Sequence, residues 1–157
     1  MKILGRKISL ILVRVFLITL LFSSYSMAES LNLKSLGFYK TNLSKHTVSF
    51  NEFLSGGPPK DGIPALLSPK FETVNSAKQW LSSAEPVILL KVKNDAKAYP
   101  LQILIWHEIV NDTVGNLPVA VTFCPLCYSA ITYMRLVKGK EIHLGVSGLL
   151  RNSDMVM

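Results

Sequence analysis

Three short turn dipeptides, each flanked by β-branched or leucine-rich runs, constrain this chain more than any other feature. Val87 to Lys93 and Ala96 to Tyr99 flank Asn94 and Asp95. Ile109 to Val114 and Pro118 to Phe123 flank Gly115 and Asn116. Ile131 to Val137 and Ile142 to Val146 flank Gly139 and Lys140. Extended runs joined by so few turn-forming residues fold back on themselves as antiparallel hairpins. Helical signals are weaker. Ser76 with Gln79 has capping-box spacing, and Ala77, Trp80 and Leu81 give one apolar face that ends near Ser83. Leu101, Leu104 and Ile105 suit one or two further turns. The fold class is therefore mainly β within α+β, with antiparallel hairpins, one or two short helices and no internal repeat.

Ser55 to Pro69 holds Gly56, Gly57, Pro58, Pro59, Gly62, Pro64 and Pro69, a density that forbids helix or central strand. This stretch is a long shaped loop, either a surface connection or a rigid binding element. Upstream, residues 29–46 read as a linker, a first strand is expected near Thr47 to Phe50, and one domain spans 47–157.

Residues 1–28 carry Lys2, Arg6, Lys7 and Arg14 with no acidic residue, then the apolar run Val15 to Phe22, then Ser26 and Ala28 at small-x-small spacing. This is the pattern of a secretory signal cut after Ala28. The competing reading is an uncleaved anchor, but Arg14 splits the apolar stretch and leaves it well short of the ~20 residues that span a bilayer. The exported part is expected in the periplasm or outside the cell, without a stable membrane span. The mean hydropathy of +0.34 owes much to this segment. So does the charge. Of 17 basic residues against 10 acidic, the signal takes four, which leaves a near-balanced remainder with only Arg135 and Arg151 as arginines. No basic stripe with interleaved aromatics is present, so nucleic acid is not an expected partner.

The two cysteines, Cys124 and Cys127, stand in Thr-Phe-Cys-Pro-Leu-Cys-Tyr-Ser at the end of an expected strand. Two residues between two thiols let both sulfurs converge on one point, as a redox pair, half a metal site or a plain disulfide. In an exported chain a disulfide is the ordinary outcome. A bridge closing so small a loop restricts the unfolded chain little, so stapling alone explains it poorly. His107 lies in Trp-His-Glu-Ile-Val-Asn-Asp, with Glu108 and Asp112 close by. That cluster can ligate a transition metal together with the sulfurs or hold a cysteine as thiolate; equally, it is a surface histidine followed by strand residues. His143 is a reserve ligand and His46 stands alone. Ser147 to Asp154 reads as a polar turn after a strand.

Taken together, Ser55 to Leu66, Ala98-Tyr99-Pro100-Leu101, Trp106 to Asp112, Cys124-Pro125-Leu126-Cys127 and Ser147 to Asp154 closely resemble one family. This is the family of exported bacterial and archaeal proteins termed domain of unknown function 3179, and the likeness runs from about Val48 to Met157. The resemblance implies that His107, Glu108, Asn111, Asp112, Cys124, Cys127, Arg151, Asn152 and Asp154 occupy the polar positions of its motifs. It promotes His107 to a site residue beside the cysteines. It also implies a longer family domain of which this chain is the N-terminal part, with an open sheet edge through which copies associate.

Two functions follow as expectations. In the first, Cys124, Cys127 and His107 form a redox or transition-metal site, with copper(I) or zinc suited to soft sulfur and a periplasmic redox or metal-transfer protein as partner. Glu108, Asn111, Asp112, Arg151, Asn152 and Asp154 then surround the reacting groups or a bound cofactor. In the second, the chain is a non-catalytic extracytoplasmic binding module with a structural disulfide, presenting its Gly/Pro loop and Trp106.

Overall fold

The computed structural model describes residues 31–157; the segment read as an export signal, residues 1–28, lies outside the described residues. The described residues form ten short strands and two short α-helices. The strands are β1 (Leu54–Ser55), β2 (Val87–Val92), β3 (Asp95–Pro100), β4 (Ile109–Val114), β5 (Leu117–Cys124), β6 (Ser129–Met134), β7 (Leu136–Val137), β8 (Lys140–Glu141), β9 (Leu149–Arg151) and β10 (Asp154–Val156). The helices are α1 (Val74–Ala77) and α2 (Leu101–His107). All strand pairs are antiparallel, in the orders β4-β5-β6, β2-β3, β1-β9-β10 and β7-β8.

Local turn chemistry accounts for the first two hairpins. Gly115 and Asn116 both hold positive φ, the geometry of a turn whose twist matches that of antiparallel strands, and β4 pairs β5 from Val114↔Leu117 to Ile109↔Thr122. Any Cβ at Gly115 would sit 2.5 Å from the Val92 carbonyl oxygen, so the turn packs against the neighbouring hairpin. That hairpin, β2-β3, pairs from Val92↔Asp95 to Val87↔Pro100.

The third expected hairpin is corrected. Ile131 to Val137 meets the run after Gly139 only near the turn, where β7 pairs β8 and Ile142 N donates to Arg135 O at 2.9 Å; instead β6 folds back on β5, with Cys124 opposite Ser129. Arg135 N donates to Pro118 O at 2.9 Å, and its buried side chain ties these segments to the central sheet: Nε donates to Val119 O at 2.9 Å, Nη1 to Ile142 O at 2.6 Å and Nη2 to Asp112 O at 3.1 Å. Two smaller expectations also shift. Phe50–Glu52 is a 3-10 turn rather than a strand, and α1 is capped by Thr73, whose hydroxyl accepts from Ser76 N at 3.2 Å, in place of a cap at Ser76.

The core gathers where α2 and the β2-β3 hairpin meet the central sheet. Tyr99, Leu104, Val110, Val121 and Phe123 form one buried cluster, and Ile109, Ala120 and Val146 form another on the opposite face of that sheet. Each such aliphatic side chain contributes about 1.5 to 3 kcal/mol when withdrawn from water. Strand alternation puts Ile109 and Val110 into different clusters, so β4 is apolar on both faces. The Gly/Pro loop is anchored rather than loose: Leu66 N donates to Ile109 O, Asn111 N donates to Leu66 O, and Asp61 N donates to Val146 O, each at 2.8 Å. It covers the outer edge of β4, whereas no strand among the described residues pairs with the outer edge of β6. Within the expected linker, Leu33 is buried and Leu36 O accepts from Lys60 N, so that segment packs on the domain. Among the described residues no helix is long and apolar enough to cross a membrane.

Candidate functional site

Cys-x-x-Cys is the connection between β5 and β6. Cys124 is the last residue of β5, Ser129 the first of β6, and the intervening residues turn the chain, with Tyr128 at positive φ. The turn brings the two Cα atoms to 5.2 Å and the sulfurs are joined as a disulfide. The sulfurs are not equivalent. Cys124 is 3% exposed at the strand end, while Cys127 is partly open to solvent between two protruding side chains, Leu126 and Tyr128. The Cys127 N–H donates to the Cys124 sulfur at 3.1 Å.

The third group beside the sulfurs is Asp154. One ligand atom from each of Cys124, Cys127 and Asp154 lies within 4.8 Å of the others. Asp154 opens β10, just after the tight turn in which Asn152 and Ser153 both take positive φ. Its Oδ1 accepts from Met155 N at 2.8 Å and from Ser129 Oγ at 3.3 Å. Sequence spacing showed a turn at Ser147 to Asp154; the structure makes it the β9-β10 hairpin, which pairs with β1 and carries the carboxylate to the cysteine loop.

His107 is not in this cluster. Its Nδ1 lies 2.8 Å from Pro64 O, on the Gly/Pro loop, so the donor found with the two sulfurs is Asp154 in place of His107. Its neighbour Glu108 caps α2 at positive φ and lines a cavity of about 20 Å³ with Cys124, Gly148, Leu149 and Met155. Burial pushes its carboxyl above the usual carboxylate range.

The other polar motif residues serve the scaffold. Asn111 is buried and replaces a strand pairing: Nδ2 donates to Leu144 O at 2.9 Å and to Leu66 O at 3.3 Å, and Oδ1 accepts from Leu144 N at 2.8 Å. Asp112 accepts from Tyr99 Oη at 2.7 Å and from Lys97 Nζ at 2.9 and 3.0 Å. Burial first, then the Asp112 hydrogen bond, push the Tyr99 hydroxyl well above the usual phenol range. Arg151 forks onto Glu52 through Nε and Nη2 at 3.0 and 2.7 Å, and Asn152 supplies a left-handed turn position. Exposed His143 lies outside the cysteine cluster, and His46 Nδ1 sits 2.9 Å from Val48 O. Arg135, buried and bonded to three backbone carbonyls, gave no signal in the sequence beyond being one of the two arginines after residue 28.

The fold and site define a mainly antiparallel β domain with a disulfide in a hairpin loop and a carboxylate beside it. The family model for a protein of unknown function, DUF3179, matches residues 60–157, well over half of the chain. The chain belongs to that family. No curated protein and no solved structure matches it.

Proposed function

We propose that Cys124 and Cys127 form a thiol–disulfide exchange site of an exported domain. The observation that carries this reading is the asymmetry of the two sulfurs, one buried and hydrogen-bonded, the other partly open. Partial exposure of Cys127 leaves one sulfur open to a partner, and a loop this small gains less from chain entropy than a longer one, so stapling alone explains the pair poorly. Export, read from the signal-like residues 1–28, supplies a compartment in which disulfides are made and exchanged.

In the reduced protein the Cys127 thiolate attacks one sulfur of a partner disulfide. A Cys127–partner bond forms, the partner's own bond breaks, and its second sulfur leaves as thiolate and takes a proton from water. Cys124 then attacks the Cys127 sulfur, re-forming the intramolecular bridge and releasing the partner's remaining sulfur. The domain loses two electrons and the partner disulfide gains them; the reverse sequence oxidises a partner dithiol. Leu126 and Tyr128, 70% and 80% exposed on either side of Cys127, offer apolar contact to a protein partner. The open edge of β6, with Ile131, Tyr133 and Met134 exposed, suits self-association.

Glutathione disulfide tests the order of attack. Cys124→Ser is expected to accumulate a stable mixed disulfide at Cys127 by mass spectrometry, whereas Cys127→Ser is expected to react far more slowly at its buried thiol. Equal labelling of both variants, or of neither, contradicts the reading.

A second reading, a non-catalytic binding module, is favoured by one observation. An open groove of about 1370 Å³ runs between α1 and the β2-β3 hairpin, lined by Phe71, Val74, Trp80, Leu89, Tyr99 and Ile103 among others. Quenching or enhancement of Trp80 fluorescence by an apolar probe, unchanged in the double cysteine variant, would support a function independent of the disulfide.

A further inference from the structure

We propose that reduction of the bridge creates a site for a soft or borderline d10 cation, Zn²⁺ or Cu⁺, held by Cys124 Sγ, Cys127 Sγ and a carboxylate oxygen of Asp154. The inference rests on the exchange reading above, since the same sulfurs must open before they can bind a metal.

Three independent features point to it. First, the donors already converge: the two sulfurs and an Asp154 oxygen lie within 4.8 Å of one another. A tetrahedral zinc with bonds of about 2.0 to 2.3 Å separates its ligands by roughly 3.3 to 3.8 Å, so modest side-chain rotation suffices once the S–S bond is broken. Second, Asp154 is placed and oriented: Met155 N and Ser129 Oγ both donate to Oδ1, and Oδ2 receives no hydrogen bond among the described residues. A carboxylate fixed through one oxygen and free at the other is suited to monodentate ligation. Third, the donors come from two separate hairpins, the β5-β6 connection and the start of β10, so the site is assembled by the fold and not by one flexible segment. Three protein donors leave one tetrahedral position for solvent or for a donor from a partner, the arrangement of sites that exchange their ligands.

The chemistry balances with a dithiol as reductant. The dithiol becomes a disulfide as the Cys124–Cys127 bond takes up two electrons and two protons. Cation binding then releases the two thiol protons, so affinity rises with pH. Oxidation of the pair expels the metal. Occupancy is thereby a readout of the redox state of the compartment.

The test uses the purified protein with Zn²⁺ against a chromophoric chelator, after complete reduction by a phosphine and removal of excess, and in parallel on the oxidised protein. The reduced protein is expected to take one zinc per chain and the oxidised protein none. Asp154→Asn, which keeps the hydrogen-bond acceptor at Oδ1, is expected to weaken zinc at least about tenfold, while His107→Ala leaves it unchanged. Co²⁺ in place of zinc should show sulfur-to-metal charge-transfer absorption that the Cys124→Ser, Cys127→Ser protein lacks. Failure of the reduced protein to bind zinc or cobalt more tightly than the double variant overturns the proposal. So does a full affinity in Asp154→Asn. If zinc fails while glutathione exchange proceeds, the cation site falls and the exchange reading stands. If both fail, both fall.

Discussion

Asp154 and Cys124, thirty residues apart, are brought together by two hairpins, with a carboxylate oxygen within 4.8 Å of the buried sulfur. Their meeting depends on the turn at Asn152 and Ser153, where both residues hold positive φ. A β-branched residue resists that conformation. Asn152→Val is therefore expected to destabilise the β9-β10 hairpin by about 1 to 3 kcal/mol in urea denaturation, and to weaken zinc binding by the reduced protein. Unaltered stability and zinc affinity would mean that the turn does not position Asp154.

Asn111 is the strongest single test of the scaffold. Its amide bonds both the N–H and the C=O of Leu144 and also reaches Leu66 O. Asn111→Ala removes these bonds from the N–H and C=O of Leu144, while Leu66 O keeps its bond from Asn111 N, in a site that is 1% exposed. The expected loss is about 2 to 4 kcal/mol in equilibrium denaturation. A change below about 1 kcal/mol would show that the loop and the segment around Leu144 are held by other contacts.

Gly148 lets the Gly/Pro loop close over the cavity beneath Cys124. It holds φ +73, and a Cβ there would stand 2.0 Å from Pro58 O. Because both the backbone conformation and the space exclude a side chain, Gly148→Ala is expected to cost at least about 2 kcal/mol. Proteolysis at the loop should accelerate in parallel. Wild-type resistance to protease and a wild-type melting temperature would contradict this account of the loop.

Glu108 gives a pH dependence with a definite sign. Burial raises its folded-state pKa above that of the unfolded chain, so the folded protein holds the proton more tightly. Its contribution to stability is fully present below the ordinary carboxylate pKa and is lost as pH rises through the raised folded value. Glu108→Gln removes this dependence. Denaturation from about pH 4 to pH 7 should therefore show the variant gaining stability relative to wild type as pH increases. A constant difference between the two proteins across that range would place Glu108 in a fully hydrated setting.

Legibility in the sequence followed the range of the interactions. The β2-β3 and β4-β5 hairpins were readable because Asn94, Gly115 and Asn116 carry turn signals between the paired strands, although the first turn falls at Lys93 and Asn94, one residue before the expected Asn94 and Asp95, and Asp95 pairs with Val92. The β5-β6 hairpin was not, because its connection is Pro125-Leu126-Cys127-Tyr128, which lacks a turn dipeptide, while Gly139 advertised a different pairing that extends only two residues. The convergence of the two cysteines was readable from their spacing alone. Their neighbour was not, since Asp154 reaches them through tertiary assembly and was marked only by its place in a family motif. His107 looked equally suitable by chemistry; the backbone at the end of α2 turns its Nδ1 toward Pro64 instead. Asn111 and Asp112 carried polar atoms that the scaffold consumes, a use that residue type cannot distinguish from ligand binding.

The central claim, that the Cys124–Cys127 bridge exchanges, is tested most directly by its reduction potential, measured by equilibrating the protein in dithiol/disulfide buffers and counting free thiols. An exchange-active pair is expected between about −120 and −270 mV, the range of thiol–disulfide oxidoreductases. A potential below about −300 mV, where structural disulfides of secreted proteins lie, would contradict the claim and leave the bridge as an inert part of the hairpin.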